Sequence, residues 1–416
     1  MRYSLDSSWR RCGETVLAGS PQRLFRLGPA GVRVADAIAA GNEVEDSVLT
    51  DRLCDAGAIH PVPTRSRRFE PADVTVVTPS LNAPPRTGRY TVDDGSNPPL
   101  DGAALRLDEN RGPGAARNAG RQLVTTPLVA FVDADVDLPD ETTWLEPLLG
   151  HFDDPGVGLV APRVTGEPNS PLDLGGATGR IRAATRISYV PAAVILVRVD
   201  AFDSVGGFDE TLRFGEDVDF VWRLDQAGWH CRYEPTSTVW HRPRATFTSR
   251  LRQHHTYGES AAALALRHPR ELAPWHVDPP TAGMWLALLC GRPALALVVQ
   301  WANVSRVRAT LGGFPAADVA RFLGEAHIGI GRQLAGAVRR EWWPVALAAS
   351  LVSRRARVMF ALALLLSPRR VATDAAYGAG VWSGAFRKRT TLPLRPDIRG
   401  WAPNPPPRPT EVRSAT

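Results

Sequence analysis

A short apolar run, Leu128–Val132, ends abruptly in three carboxylates at alternating positions, Asp133, Asp135 and Asp137. An apolar run of this length predicts a buried strand, and open α/β sheets bind their ligands beyond the carboxyl ends of the strands. Carboxylates placed there can bind a divalent cation and leave room for a diphosphate. The alternative is an acidic turn without a ligand, because Asp also stabilises turns through local hydrogen bonds.

The apolar runs around this segment indicate the fold class. They occupy residues 74–77, 90–92, 157–161 and 194–197 and are separated by Gly and Pro. Near-continuous runs of Val, Ile and Leu, joined by helical or loop connections, are typical of a largely parallel, buried sheet. The sequence therefore predicts an α/β fold.

Charge is distributed unevenly along the 416 residues. The formal net charge is +6, yet residues 1–240 contain 24 basic and 34 acidic side chains, whereas residues 241–416 contain 25 and 9. The basic second half indicates a binding partner.

The cysteines and the N-terminal residues indicate in which cellular compartment the protein is expected. The four cysteines are far apart and show no CxxC spacing, which argues against a zinc site or a disulfide framework and favours a reducing, cytoplasmic setting. The first residues lack the apolar core of a signal peptide, so secretion is not expected.

Composition divides the chain into four predicted segments. Residues 1–70 are expected to form a small helical or winged-helix unit, residues 71–260 the α/β domain, residues 261–394 a basic region of amphipathic helices, and residues 395–416 a disordered tail. The helices expected in the first segment carry mixed charge and show no basic recognition face. A nucleic-acid partner is therefore not expected.

Two polar segments between the predicted strands could contact a nucleotide. The sequence Asp93-Asp94-Gly95-Ser96 follows one predicted strand, and a glycine-rich loop, residues 110–120, precedes a predicted helix. Backbone N–H groups at a helix N-terminus bind anions, and Gly lets a ligand approach closely. Each segment also has a purely structural interpretation, as a turn and as a helix entry.

A third acidic segment, Glu216-Asp217, opens another predicted helix. The helix dipole favours carboxylates in a first turn, which explains part of the pattern without any function. It does not explain why carboxylates recur along the chain, each time at the start or end of a regular element. That recurrence favours a shared site.

Residues 74–241 resemble the family 2 glycosyltransferases of the GT-A fold. Four motifs occur in the family's order: Asp-Asp-Gly-Ser, Gly-x-x-x-Ala-Arg-Asn-x-Gly, Asp-x-Asp, and Gly-Glu-Asp followed by Asp-x-x-x-Arg. The layout of the whole chain, with residues 56–61 and 254–259, resembles the glycosyltransferases of the mycofactocin system. That group extends a peptide-derived redox cofactor with β-linked glucose. The resemblance implies an inverting, metal-dependent enzyme that moves a hexose from a UDP-sugar to a hydroxyl of a peptide-derived or glycan acceptor.

The resemblance also implies roles for residues on the nucleotide side of the site. Asp93 or Asp94 would recognise the uridine, close to Pro79. Arg117 would lie near the base or the phosphate, and Asp133 would approach the ribose.

The remaining implied roles concern the metal and the chemistry. Asp135 and His241 would bind a divalent ion, Mn²⁺ or Mg²⁺, which offsets charge on the leaving nucleotide. Asp217 would be the general base that an inverting transfer requires, with Glu216 as the adjacent candidate. A surface histidine at a strand end is the alternative interpretation of His241.

One segment departs from the family pattern. The family places a full helix between its first strand and the Asp-Asp-Gly-Ser strand, whereas residues 79–89 make the whole crossover here and include Pro84-Pro85. A helix is not expected in this segment, because proline disrupts helix interiors. The departure leaves three possibilities: weaker donor binding, a different loop that closes the pocket, or an inactive descendant that acts as a binding or membrane-associated protein.

The basic second half contains two apolar stretches, residues 284–301 and 342–366. Arginines interrupt both stretches, and charges in hydrocarbon are costly. Short apolar faces flanked by Arg and Trp are typical of helices in the headgroup region of an anionic membrane. The sequence therefore predicts a peripheral contact with the inner face of the cell membrane. Soluble helices buried against one another are the alternative.

Overall fold

The computed structural model describes residues 1–166, 170, 172–242, 246–311 and 313–398. They fall into two compact units that separate between residues 242 and 246. The domain boundary predicted at residue 260 therefore falls inside the first helix of the second unit. Most of the tail that was predicted to be disordered lies outside the described residues. Its first residues, 395–398, are ordered, because the backbone of Asp397 exchanges hydrogen bonds with Trp275 and Val277.

The first unit begins with a small α/β part rather than a purely helical one. Its strands are β1 (Tyr3–Leu5), β2 (Arg10–Cys12), β3 (Thr15–Ala18), β4 (Arg23–Arg26) and β5 (Ile59–Pro61), and its helices are α1 (Pro29–Ala39) and α2 (Val48–Asp55). Strands β2, β3 and β4 form one antiparallel sheet, and β1 pairs with β5. Val16, Ile38, Leu53 and Ile59 form the centre of its core.

A nine-stranded sheet forms the body of the first unit. Its strands are β6 (Val74–Ser80), β7 (Tyr90–Asp94), β8 (Leu105–Leu107), β9 (Leu128–Val132), β10 (Val136–Asp137), β11 (Val157–Thr165), β12 (Gly179–Ile181), β13 (Val194–Arg198) and β14 (His230–His241). Their order is β10-β14-β11-β13-β9-β6-β7-β8, and β12 pairs with β14. All five apolar runs of the sequence form strands, as predicted.

The sheet is mixed, so the prediction of a largely parallel sheet was only partly right. Strand β6 runs parallel to β7 and β9, and β7 runs parallel to β8. Strand β13 runs antiparallel to both β9 and β11. Apolar runs do not reveal strand direction, because strands buried on both faces have the same composition in either orientation.

The helices of the sheet domain are α3 (Pro113–Arg121), α4 (Glu141–Trp144), α5 (Glu146–Leu149), α6 (Val199–Ser204) and α7 (Glu216–Gln226). Leu148, Leu149 and Phe152 pack on the inner strands β9, β11 and β13. On the other side, Phe131 of β9 contacts Phe202 and Phe208 with ring centroids 5.4 and 5.6 Å apart. These contacts anchor β9, so the chain that leaves its carboxyl end has a fixed starting point.

The crossover between β6 and β7 was predicted to lack a helix, and this is confirmed. Residues 81–89, all of which the structure describes, contain turns and bends only. Ser80 Oγ donates to the carbonyl oxygen of Ala83 at 2.6 Å, and the Asn82 N–H donates to Ser96 Oγ at 2.8 Å. The short crossover is therefore tied directly to the Asp-Asp-Gly-Ser turn.

Helix α3 packs tightly on β6 and β7 through Gly120. A Cβ atom at this position would collide with Val77 Cγ1 and lie 3.1 Å from Val92 Cγ2. We expect Gly120→Ala to lower the free energy of unfolding by roughly 1–3 kcal/mol, because buried strands cannot move aside without strain. Chemical denaturation would measure the change.

Gly324 is the matched control for this substitution. It also lies inside a helix, but nothing stands within 4 Å of its Cβ position. Gly324→Ala should stabilise its helix by up to about 1 kcal/mol, because Ala has the higher helix propensity. A stabilising effect of Gly120→Ala as well would contradict the tight packing.

The second unit consists of helices. They are α8 (Phe247–Arg267), α9 (Pro279–Leu289), α10 (Pro293–Thr310), α11 (Ala316–Arg340), α12 (Trp343–Val352), α13 (Arg354–Leu365) and α14 (Val371–Arg387). Helices α8 and α14 approach each other closely, because Gly258 and Gly380 each face the backbone of the other helix. Among the described residues, no helix combines the length and hydropathy needed to cross a bilayer.

Candidate active site

The acidic segment after β9 lies against the backbone that precedes β13. The Asp133 N–H donates to the carbonyl oxygen of Ala193 at 2.8 Å. The Ala192 N–H points the other way and donates to Asp217 Oδ2 at 3.4 Å. Asp133 and Asp217, which are 84 positions apart in the sequence, therefore contact the same two-residue segment.

Arg117 of α3 joins a third carboxylate to this group. Its Nη2 donates to Asp133 Oδ1 at 2.7 Å and to the Ala192 carbonyl at 3.3 Å, and its Nη1 donates to Glu216 Oε1 at 3.1 Å. The guanidinium is 2% exposed and lies over the ring of Phe208, 5.3 Å from its centroid. Arg117 therefore forms the floor of the site and holds Asp133 and Glu216 in place.

Helix α7 presents the two candidate bases at its N-terminus, where the helix dipole favours negative charge. Burial and the neighbouring Asp217 raise the pKa of Glu216 to about 7, although Arg117 opposes the shift. Burial also raises the pKa of Asp217. Glu216 is buried and bonded to Arg117, whereas Asp217 is only half-buried and bonds to the backbone N–H of Val218 at 2.8 Å.

Asp135 and His241 meet beside this group, as the metal hypothesis requires. His241 Nε2 lies 3.3 Å from Asp135 Oδ2. A carboxylate oxygen and an imidazole nitrogen suit Mn²⁺, and a site with one or two protein ligands can be completed by phosphate oxygens and water. Across the described parts of the chain, no group of three or more His, Cys, Asp or Glu side chains is arranged to hold a metal ion by itself. The pair thus fits an ion that shares its coordination with a ligand.

Asp137 has a role that the sequence did not reveal. It accepts hydrogen bonds from Arg86 Nη1 at 2.7 Å, from Arg242 Nη2 at 2.9 Å and from Arg242 Nε at 3.0 Å. The Arg242 N–H also donates to the carbonyl oxygen of Asp135 at 2.9 Å. Arg86 belongs to the short crossover, so this network ties the crossover to the segment that carries Asp135.

The position of Arg86 and Arg242 could not be read from the sequence. Strand β10 pairs antiparallel with the end of β14, with Val136 opposite His241 and Asp137 opposite Trp240. Basic residues near an acidic segment indicate an ion pair only once this register is known. The register itself depends on tertiary packing.

Asp93 and Asp94 are both engaged with neighbouring loops. Asp93 accepts hydrogen bonds from the backbone of Ser96 and Leu100 and from Arg106. Burial alone would raise its pKa, but these hydrogen bonds lower the pKa of Asp93 to about 2. Asp94 accepts from two backbone N–H groups of the glycine-rich loop, at 2.8 and 2.9 Å. Both side chains therefore hold the loops beyond the carboxyl end of β7 in place.

The predicted site residues thus fall into two groups. Asp133, Arg117, Glu216 and Asp217 are linked through direct contacts or through the segment 192–193, and Asp135, two residues beyond Asp133, pairs with His241. Pro79, Asp93 and Asp94 belong to the adjacent strands β6 and β7, where Pro79 lies opposite Val92. All three are buried.

Comparisons with known proteins show the family to which the chain belongs. The model of the family described as Glycosyl transferase family 2 matches residues 92–189. The Pre-mycofactocin glycosyltransferase of Mycobacterium tuberculosis is 35% identical over 452 aligned positions, which cover 93% of this chain and 95% of the relative. The Succinoglycan biosynthesis protein ExoA of Rhizobium meliloti is 31% identical over 99 residues, 23% of this chain and 30% of that protein.

Among solved structures, a mannosyltransferase of Pyrobaculum calidifontis in complex with GDP-Man and Mn²⁺ is similar over 78% of this chain and 90% of its own. The sequence identity is 17% and the TM-score is 0.43. The similarity to the mycobacterial protein, by contrast, extends over nearly the full length of both chains. The chain therefore belongs to glycosyltransferase family 2, as a sugar-transferring enzyme of the GT-A fold that is similar to the pre-mycofactocin glycosyltransferase.

Proposed function

We propose that this enzyme moves a hexose, glucose, from a UDP-sugar to a hydroxyl of a peptide-derived acceptor of the mycofactocin type, with inversion at the anomeric carbon. The observation that carries the proposal is the convergence of two distant acidic segments, 133–135 and 216–217, with Arg117 and His241. Segment 192–193 joins Asp133 to Asp217, Arg117 joins Asp133 to Glu216, and His241 reaches Asp135. Glucose and the acceptor class rest on the similarity to the mycobacterial relative.

Asp217 is the general base in this proposal. Its raised pKa makes it a better proton acceptor than an ordinary carboxylate. Glu216 is less suited, because it is buried and its Oε1 accepts a hydrogen bond from Arg117. The pKa of Glu216 is raised as well, so what distinguishes the two residues is that burial and this hydrogen bond leave the Glu216 carboxylate less accessible to an acceptor hydroxyl.

The reaction is a single displacement. The acceptor oxygen forms a bond to the anomeric carbon, the bond between that carbon and the diphosphate oxygen breaks on the opposite face, and UDP leaves. The proton of the acceptor hydroxyl passes to the Asp217 carboxylate. Attack opposite to the leaving group inverts the configuration.

Asp135 and His241 would hold the divalent ion, Mn²⁺ or Mg²⁺, which supplies positive charge to the departing diphosphate. Asp133 faces the nucleotide side in this proposal, and Arg117 keeps its carboxylate in one orientation. Pro79, Asp93 and Asp94 would shape the uridine pocket. Of the three possibilities left by the short crossover between β6 and β7, its contacts with Ser96 and Asp137 support a different loop that closes the pocket without a helix.

The proposed location is the cytoplasmic face of the cell membrane, with peripheral rather than integral attachment. The excess of basic side chains in residues 241–416 supports it, because the inner leaflet carries anionic lipids that attract such segments.

The proposed metal site can be tested through nucleotide binding. We expect Asp135→Ala to abolish the Mn²⁺-dependent part of UDP binding in calorimetry, because the ion loses its carboxylate. Asp200→Ala removes an exposed carboxylate from α6 and should leave UDP binding unchanged. UDP binding of the wild type that is equally tight with Mn²⁺ and with a chelator would contradict the proposed site.

The donor is tested with a panel of labelled UDP- and GDP-sugars and the peptide-derived acceptor. Transfer from UDP-glucose above the other donors, with a β-linked product, is the expected result. Absence of transfer from every donor, with metal and acceptor present, would favour the non-catalytic alternative. Transfer from a GDP-sugar alone would contradict the assignment of the donor.

A further inference from the structure

Four helices of the second unit present large apolar side chains to solvent. On or directly after α9, α10, α12 and α13 lie sixteen exposed apolar side chains, all of them Leu, Val, Met or Trp. Val352 is 89% exposed and Trp301 is 74% exposed. A contiguous apolar surface larger than a few hundred Å² is unusual on a soluble monomer and marks an interaction site.

The burial pattern is reversed on two of these helices, α10 and α12. Helix α12 buries Ser350 and exposes Leu351 and Val352. Helix α10 buries Ala296 and Asn303 while its large apolar residues face outward. A helix that packed only into a soluble core would do the opposite, so the outward faces are adapted to an apolar environment.

The helices that carry the exposed residues are adjacent to one another. Helices α9 and α10 meet at a corner around Gly291, and α12 and α13 meet at Ser353. Arg355 Nη1 donates to the carbonyl oxygen of Cys290 at 3.0 Å, so the two corners touch. We name this surface the apolar face; it consists of the outward residues of α9, α10, α12 and α13.

The charges within these segments have only one sign. Residues 279–317 and 342–373 contain eight arginines and no Asp or Glu. Arg354, Arg369 and Arg370 are exposed. Apolar side chains flanked by cationic ones are complementary to a bilayer surface with anionic headgroups, where the apolar groups enter the boundary of the acyl chains.

We propose that the apolar face docks onto an anionic lipid bilayer and lies in its headgroup region. This inference rests on the proposed membrane location and identifies the surface responsible. Helix α12 has 10 residues, about 15 Å at the helical rise, and the hydrocarbon core is about 30 Å thick. The helix therefore suits immersion along the surface, with Val352 and Leu365 in the boundary region.

The test is flotation of the full-length protein with phosphatidylglycerol-containing vesicles and with pure phosphatidylcholine vesicles. We expect several-fold more bound protein on the anionic vesicles. The double variant Val352→Glu/Leu365→Glu should bind at least roughly tenfold less, because it places two charges in the apolar boundary. Val48→Glu alters an equally exposed residue of α2 and should bind like the wild type.

A second variant tests the electrostatic contribution. Arg354→Gln/Arg369→Gln/Arg370→Gln should lose the preference for phosphatidylglycerol, roughly tenfold in binding, because each arginine contributes attraction near an anionic surface. Thermal unfolding of each variant checks that its fold is intact. Wild-type protein that stays unbound with both vesicles, or a glutamate variant that binds like Val48→Glu, would overturn the proposal.

Two other outcomes point elsewhere. A wild-type dimer that the glutamate variant converts to a monomer, without vesicle binding, would assign the apolar face to a second copy of this chain. Sugar transfer to a soluble acceptor in the absence of vesicles is measured separately. If the wild type binds vesicles but transfers no sugar, the proposed function is refuted and the docking surface stands. If it transfers sugar but does not bind vesicles, the docking surface is refuted and the proposed function stands.

Discussion

Asp217→Asn is expected to lower the rate of sugar transfer by roughly 10²–10⁴-fold and to leave UDP binding unchanged. Asn has the same shape, and its single carbonyl oxygen can still accept the hydrogen bond from Val218 at 2.8 Å, although it loses the longer one from Ala192. It cannot take a proton from the acceptor hydroxyl. The magnitude is that of a lost general base. Single-turnover measurement of transfer, with UDP affinity from calorimetry, would separate chemistry from binding.

Glu216→Gln is the matched control for this experiment. Gln can still accept the hydrogen bond from Arg117, and Glu216 is not the proposed base, so we expect a much smaller loss. If Glu216→Gln reduced the rate by more than 10²-fold while Asp217→Asn retained activity, the roles of the two residues would have to be exchanged. Product configuration provides an independent check, because a retained configuration would exclude single displacement.

Arg117→Met is expected to lower the free energy of unfolding by roughly 3–5 kcal/mol. The substitution keeps an unbranched side chain similar to the aliphatic stem of Arg but removes the guanidinium, which leaves Asp133 and Glu216 without their common cation. Removing one partner of a buried ion pair is strongly destabilising, because the remaining charge is poorly solvated. Chemical denaturation at pH 8 would measure the difference.

The loss of stability caused by Arg117→Met should depend on pH. The pKa of Glu216 is already about 7 in the folded protein, above its ordinary value of 4.5. A carboxyl group whose pKa is raised by folding destabilises the folded protein above its unfolded pKa, and protonation relieves this effect. The difference between Arg117→Met and the wild type should therefore shrink as the pH falls from 8 towards 5.

Arg121→Met provides the comparison on the same helix. Arg121 pairs with Asp203 at 2.7 Å, but the carboxylate is half exposed, so we expect a loss of no more than about 1 kcal/mol. Equal losses for the two variants would contradict the view that Arg117 is the buried support of the site.

Local sequence signals predicted many elements of this protein correctly. The apolar runs, including Leu128–Val132, became strands of the main sheet, and the acidic segment at Glu216 became the first turn of α7. Pro84-Pro85 correctly indicated a crossover without a helix. Each of these outcomes depends on interactions within a few residues, which the sequence displays directly.

Contacts between distant segments were not accessible in this way. The direction of β13, the register of β10 against β14 and the attachment of Arg86 to Asp137 follow from how separate elements pack. The reversed burial of α12 is similar, because composition shows an apolar helix but not which face is outward. These features depend on the free-energy minimum of the whole folded chain rather than on any local conformational preference.

The acidic segment after β9 illustrates the division. By itself the sequence determined that a buried strand ends there in carboxylates, because strand propensity and charge are local properties. Only the tertiary structure decided that Asp133 is held by Arg117, that Asp135 meets His241 and that Asp137 binds Arg86 and Arg242. The physical reason is that these partners, which are 16 to 106 positions apart in the sequence, meet only when packing brings their strands, helices and loops together.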